Sequence, residues 1–252
     1  MEPEDPDYAD GLRELRTPPS LWLDGMTPAG PLVAVVGTRH PDRAGLELAG
    51  RLARELVERG YGVVSGLAPG IDAAAHRGAL EAGGRTWAIL GCGVDVLPWA
   101  GAAELARRIP GAGGLLAEVP PGTPVSTRAL VARDRLQSAM SAATVIVQTD
   151  LRSGTMHTAR FSVLQGRPLV VVAPPGTAGA GAAGAGAAPA GETRAEAWAG
   201  NAALCDPAGC DPARLHATGA AGRLVAARRP VADLVLERDG PWSELWERLH
   251  RG

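Results

Sequence analysis

The sequence predicts an α/β protein built on a doubly wound, mostly parallel sheet, with an irregular N-terminal arm and a short C-terminal extension. Three observations predict it. Short apolar runs bounded by Gly or Pro recur along the chain, as strands buried on both faces do. Segments of helical length separate them, and such alternation requires right-handed crossovers between parallel strands. Loops of small residues close several of the runs just where a helix begins.

Taken in order, residues 1–30 are acidic and carry Pro3, Pro6, Pro18, Pro19 and Pro28, so they read as a mostly irregular arm anchored by Trp22 and Leu23. From Pro31 the apolar runs are Leu32–Val36, Gly62–Ser65, Arg85–Leu90, Gly114–Ala117, Thr144–Gln148 and Pro168–Val172. Between them, Ala44–Arg59 sets Leu48, Leu52 and Leu56 on one stripe, four residues apart, with most charges away from it. Ile71–Ala82, Ala102–Ile109, Ala129–Ser141 and Ser153–Gln165 complete the alternation, and the core spans 31–175. Residues 176–191 hold almost only Gly, Ala, Thr and Pro, too little apolar surface for a packed face, and read as a flexible linker. The extension over 192–252 is expected to pack on the core through a strand within Val231–Leu236 and a helix over Trp242–His250 with Leu245, Trp246 and Leu249 inward.

Composition narrows the chemistry. The 252 residues include 25 basic and 27 acidic side chains, a formal charge of −2, and all the basic ones are arginine. Without lysine there is no Walker-type phosphate lysine, Schiff-base lysine or lysine general base, so an anion must be held by arginine forks and backbone amides. Cys92, Cys205 and Cys210 make an odd count that argues against a disulfide framework. Cys205, Cys210 and His216 match no standard zinc spacing, and neither metal nor cofactor is expected. No apolar run approaches the roughly 18 residues of a membrane helix, and the acidic N-terminus is unlike a signal peptide; a cytoplasmic protein without membrane contact is the expectation.

In a parallel sheet ligands gather at the carboxyl ends of the strands. Four small-residue loops fall there: Gly37-Thr38-Arg39, Ser65-Gly66-Leu67-Ala68-Pro69-Gly70, Gly91-Cys92-Gly93 and Ser153-Gly154-Thr155. One such loop is ordinarily a tight turn, whereas four on one edge point to an anion site made from amides and hydroxyls. Between Thr123 and Arg167, six arginines (Arg128, Arg133, Arg135, Arg152, Arg160 and Arg167) face only Asp134 and Asp150, a local excess suited to phosphates and equally to solvated helix faces. Arg39, directly after a strand end, is placed for bidentate phosphate contact. Asp72 and His76 share a helix face as an acid/base pair would, but an aspartate in a first helical turn and a packed histidine are the plainer reading.

The stretches VAVVGTRHPD, VVSGLAPGIDAAAHRGALEAGGRTWAILGCGVDVLP, ARDR at 132–135 and SGTMHTARFSVLQGRPLVVVAP follow in order and spacing the Rossmann-like core of the DNA-processing protein A family (DprA, also called Smf). The resemblance covers roughly 31–175 and implies a homodimeric, non-catalytic protein. Such a protein binds single-stranded DNA and helps load the recombinase RecA in DNA uptake, natural transformation and homologous recombination. It also implies a phosphate-binding pocket formed by Gly37, Thr38 and Arg39, by Ser65, Gly66 and Gly70, by Arg133 and Arg135, and by Ser153, Gly154 and Thr155. Departures are Pro69 where a basic residue is common, Asp134 at the centre of an Arg-Asn-Arg motif, Leu130 in place of an aromatic, and Thr155-Met156-His157 for Ser-Leu-Ile. Leu130 removes a platform on which a base could stack, worth roughly 1–3 kcal/mol.

The alternative is a nucleotide-binding enzyme or sensor resembling the phosphoribohydrolases of the same superfamily. The absence of a glutamate in the helix after Arg152-Ser153-Gly154-Thr155 argues against a hydrolase. A dinucleotide oxidoreductase is disfavoured because Gly37-Thr38-Arg39 replaces the expected glycine fingerprint.

Overall fold

A computed structural model describes residues 1–175, 194–209, 224 and 230–250. The strands are β1 (Trp22–Gly25), β2 (Leu32–Val36), β3 (Gly62–Ser65), β4 (Thr86–Leu90), β5 (Gly113–Ala117), β6 (Ala143–Ile146), β7 (Leu169–Val172) and β8 (Leu234–Leu236). The helices are α1 (Asp10–Arg13), α2 (Arg43–Glu58), α3 (Ile71–Glu81), α4 (Ala103–Arg108), α5 (Thr127–Ala139), α6 (Thr155–Leu164), α7 (Arg194–Ala197), α8 (Ala199–Cys205) and α9 (Ser243–His250).

One sheet of eight strands runs in the order β1-β5-β4-β3-β2-β6-β7-β8, parallel throughout except for β1. From β2 the chain winds outward through β3, β4 and β5, then returns to the other side of β2 and winds outward through β6, β7 and β8. The order therefore reverses between β2 and β6, the crevice where open α/β sheets take their ligands.

Alternate residues of the central strands serve opposite cores. Val33 and Val35 pack with Leu52, Leu56 and Ile71 of α2 and α3, while Leu32 turns to the layer of α5 with Leu136 and Met140. The leucine stripe of α2 is buried as its spacing requires, and Asp42 caps the helix by accepting from the Gly45 amide at 2.7 Å.

The N-terminal arm is more ordered than its prolines suggest. Trp22–Gly25 pairs antiparallel with β5, and the Trp87 indole donates to the Met26 carbonyl at 2.9 Å. Trp22 is 49% exposed; the buried anchors are Tyr8, Leu12 and Leu21, with the Tyr8 hydroxyl donating to the Pro19 carbonyl at 2.5 Å. A strand of four residues has too little sequence of its own to show a period, and the open edge of β5 supplies its pairing.

The C-terminal segment extends the sheet: β8 pairs with β7, and Leu245 and Leu249 of α9 join the core beside α2. Trp246 is only partly buried, its ring covered by the Arg59 guanidinium at 4.0 Å. Buried Asn201 of α8 ties this segment to the central sheet, donating to the carbonyls of Val147 and Val172 and accepting from the Thr149 amide. The 176–191 stretch, Cys210 and His216 lie outside the described residues. Among the described residues, no helix is long and apolar enough to cross a membrane.

Candidate functional site

A cleft of about 400 Å3 opens at the carboxyl edge, over the β2/β6 reversal. One wall is the loop after β2, Gly37-Thr38-Arg39-His40; the other is the loop after β6, Asp150 to Thr155, continuing into His157 and Thr158 of α6. A hydrogen bond of 2.7 Å from the Thr38 amide to the Gln148 carbonyl joins the two loops. Helix α5 closes the back with Thr127, Leu130, Val131, Arg133 and Asp134, and Asp72 of α3 lies at the floor.

Of the residues expected at an anion site, the fold thus brings Gly37, Thr38, Arg39, Arg133, Ser153, Gly154 and Thr155 into one cleft. Arg39 is exposed, and its side chain makes no hydrogen bond or ion pair with any described residue. Opposite, the first turn of α6 is arranged by Ser153, whose hydroxyl accepts from the Thr155 amide at 3.2 Å and donates to the Thr155 hydroxyl at 3.0 Å. Gly154 has open space on its side-chain face, so a ligand can approach the backbone at a helix N-terminus.

Ser65, Gly66, Gly70 and Arg135 are placed differently and do not line the cleft. Ser65 is wholly buried, donating to the Val35 carbonyl at 2.7 Å. The amides of Gly66 and Ala68, which free loop amides would turn toward an anion, donate at 3.1 and 3.4 Å to Oδ2 of the protein's own Asp72. Gly66 lies so close to the Arg133 guanidinium that a β-carbon would collide with it. Gly70 starts α3 at φ +82°, where a side chain would stand 2.5 Å from the Thr38 carbonyl oxygen. Gly70 packs against the loop that holds Arg39, and Gly66 against Arg133, rather than facing the ligand space. Arg135 points away, gripping Glu118 through two bonds of 2.6 Å.

The arginine excess of 123–167 therefore does not reach the cleft intact. Arg135 and Arg167 are paired with Glu118 and Glu14, and Arg128 and Arg160 are not among the lining residues. What remains is Arg39, Arg133 and Arg152 against Asp72, Asp134 and Asp150. His40 and Asp150 from the two loops stand beside them, as do Gln137 and His157, which sequence does not mark as cleft residues because nothing local shows which turn of a helix faces the reversal point.

Arg133 is the hub of a buried charge cluster. It is 6% exposed, with Nη1 3.3 Å from Asp134 Oδ1 and Nη2 4.0 Å from Asp72 Oδ2. One guanidinium serving two carboxylates leaves both under-neutralised. Burial raises Asp134 to about 7 despite Arg133, with the Asp72 charge adding to the rise. Burial likewise raises Asp72. His76 is no partner in acid/base work: its Nδ1 lies 2.7 Å from the Thr86 hydroxyl, which itself donates to the Val63 carbonyl. Burial, followed by Arg133, lowers His76 to about 3, so it stays neutral. Among the described residues, no group of three or more His, Cys, Asp or Glu is placed to hold a metal ion. Helix α6 brings no carboxylate to the cleft.

An eight-stranded, doubly wound sheet with its cleft at the strand-order reversal defines a Rossmann-like α/β protein. Within that class, residues 1–196 match the model of the DNA recombination-mediator protein A family, and the chain belongs to it. A DNA processing protein DprA of Mycobacterium tuberculosis, described as putative, is 41% identical over 170 residues, which is 65% of this chain and 43% of that protein. Protein Smf of a Synechocystis strain is 35% identical over 169 residues, 64% of this chain and 42% of the relative. The chain thus spans about two-fifths of the length of these relatives. DNA processing protein A from Streptococcus pneumoniae superposes with a TM-score of 0.64 at 31% identity, over 67% of this chain and 60% of that one. The Helicobacter pylori protein, whose structure concerns its single-stranded DNA binding mode, superposes with a TM-score of 0.62 at 29% identity, over 69% of this chain and 83% of that one.

Proposed function

We propose that this chain binds single-stranded DNA by seating backbone phosphates in the cleft between the loops after β2 and β6, without catalysing a reaction there. On this reading the phosphates lie against Gly37, Thr38 and Arg39 on one side and Ser153, Gly154 and Thr155 on the other, with Arg133 behind. The observation that carries the reading is the unpaired, exposed Arg39 facing the open first turn of α6 across the strand-order reversal. Forks and amides that hold phosphate give affinity without base preference, since they touch what every nucleotide shares. Family membership and the Helicobacter pylori relative support the choice of single-stranded DNA over a free nucleotide. Family membership also supports a role in DNA recombination; on this reading the chain acts in DNA uptake and homologous recombination as a cytoplasmic homodimer that delivers the coated strand to RecA recombinase.

Fluorescence anisotropy with a labelled oligothymidylate tests this. Binding is expected to weaken as salt rises, with log K falling against log salt at a slope of roughly −1.4 if Arg39 and Arg133 each displace a counterion. A flat titration at low salt, combined with tight binding of a mononucleotide, overturns the reading in favour of a nucleotide sensor.

A further inference from the structure

Resting on that reading, the geometry of the buried cluster adds a control that a simple basic pocket lacks. We propose that Asp134 gates the cleft: its carboxylate and the ligand phosphate compete for Arg133, so each phosphate seated at the back of the cleft brings a proton onto Asp134.

Asp134 lines the cleft while its Oδ1 stands 3.3 Å from Arg133 Nη1, so the guanidinium a phosphate would reach is already engaged from the same side. Arg133 cannot swing free to serve both. It is walled by Gly66, held toward Asp72, and its Nε is buried with no hydrogen-bond partner. An ionised Asp134 therefore meets an incoming phosphate as a like charge in a poorly hydrated place, whereas the protonated acid can donate to a phosphate oxygen and leave Arg133 to the ligand.

The groups facing Asp134 are set for this. Arg133 and Gln137 lie on its own helix, Gln137 donating to Asp134 Oδ1 at 3.4 Å; Asp72 comes from α3. Arg39 and His40 come from the loop after β2, Asp150 and Arg152 from the loop after β6, and His157 from α6. The three arginines are matched one for one by the three aspartates, and neutralising Asp134 tips the balance by one charge toward the anion. The rise of Asp134 to about 7 puts this exchange within reach of ordinary solution pH.

The sign follows. The bound state favours the protonated acid, so affinity is highest below the Asp134 pKa and falls as pH rises through it, by up to about tenfold per pH unit for one linked proton. The test is oligothymidylate anisotropy from about pH 7.5 to about pH 9 with the parent chain and Asp134→Asn, which keeps the shape and removes the titration. The parent is expected to lose affinity by about tenfold or more across that range while Asp134→Asn stays level and binds more tightly at the alkaline end. Equal slopes, or weaker binding by Asp134→Asn, overturn the gate while leaving the DNA-binding reading standing. Absence of binding by both proteins at every pH overturns both.

A second readout needs no DNA. A carboxyl raised in the folded state contributes stability that is present below its unfolded pKa of about 3.9 and is lost as pH rises through the folded value. Urea midpoints of the parent should therefore fall from about pH 6 to about pH 8, and those of Asp134→Asn should fall less. Identical trends in the two proteins count against the gate.

Discussion

Arg39→Ala is expected to lose most of the single-stranded DNA affinity, by roughly 10- to 100-fold, while leaving the fold intact. A charge-assisted bidentate contact contributes about 1.5–3 kcal/mol, which is that range of affinity. The effect is read cleanly because Arg39 is exposed and bonded to no described residue, so nothing in the folded core depends on its side chain. Arg39→Lys keeps the charge and loses the fork, and should fall between the two. Arg135→Ala is the matched control: its guanidinium is occupied by Glu118 outside the cleft, so affinity should change little. Anisotropy, alongside a thermal melt to confirm folding, separates these outcomes. An Arg39→Ala protein that binds like the parent removes the rim of the proposed site.

The second large effect is on stability. Arg133→Met is expected to cost about 3–5 kcal/mol, because it leaves two buried carboxylates facing each other without the cation that joins them. The loss should be smaller at acid pH, where the raised carboxyls are protonated and need no partner. Combining Arg133→Met with Asp134→Asn should restore part of the stability, since one of the stranded charges is then gone. Urea unfolding measures all of this. If Arg133→Met unfolds at the parent midpoint, the guanidinium does not hold α5 to the Gly66 loop, and the account of the cluster fails.

How much of this was legible in the sequence depends on distance along the chain. The six core strands and the long helices announce themselves, because a run such as Leu32–Val36 or the stripe Leu48, Leu52, Leu56 is a local pattern. Arg39 and Ser153-Gly154-Thr155 are legible for a similar reason: the first lies just after a strand and the second opens a helix. Strand order is not local, and without it nothing shows that the loops after β2 and β6 are neighbours while Arg135 is turned toward Glu118. The Ser65–Gly70 loop illustrates the limit from the other side. Its residues look like a phosphate cradle, yet the anion its amides hold is Asp72, four and six residues away. A motif can thus be spelled correctly and still serve the frame of a site rather than its contacts. Strand β1 escaped detection because its pairing with β5 spans most of the first half of the chain.

The central claim is that phosphates of a single strand lie in the crevice where the sheet order reverses. A crystal structure of the chain with a short oligothymidylate tests it most directly. The account predicts a phosphate within hydrogen-bond reach of the Arg39 guanidinium, the Gly154 amide and the Thr155 hydroxyl, next to the Asp134 carboxyl. Nucleic acid lying along another face, with Arg39 turned to solvent and the crevice filled only by water, would contradict it.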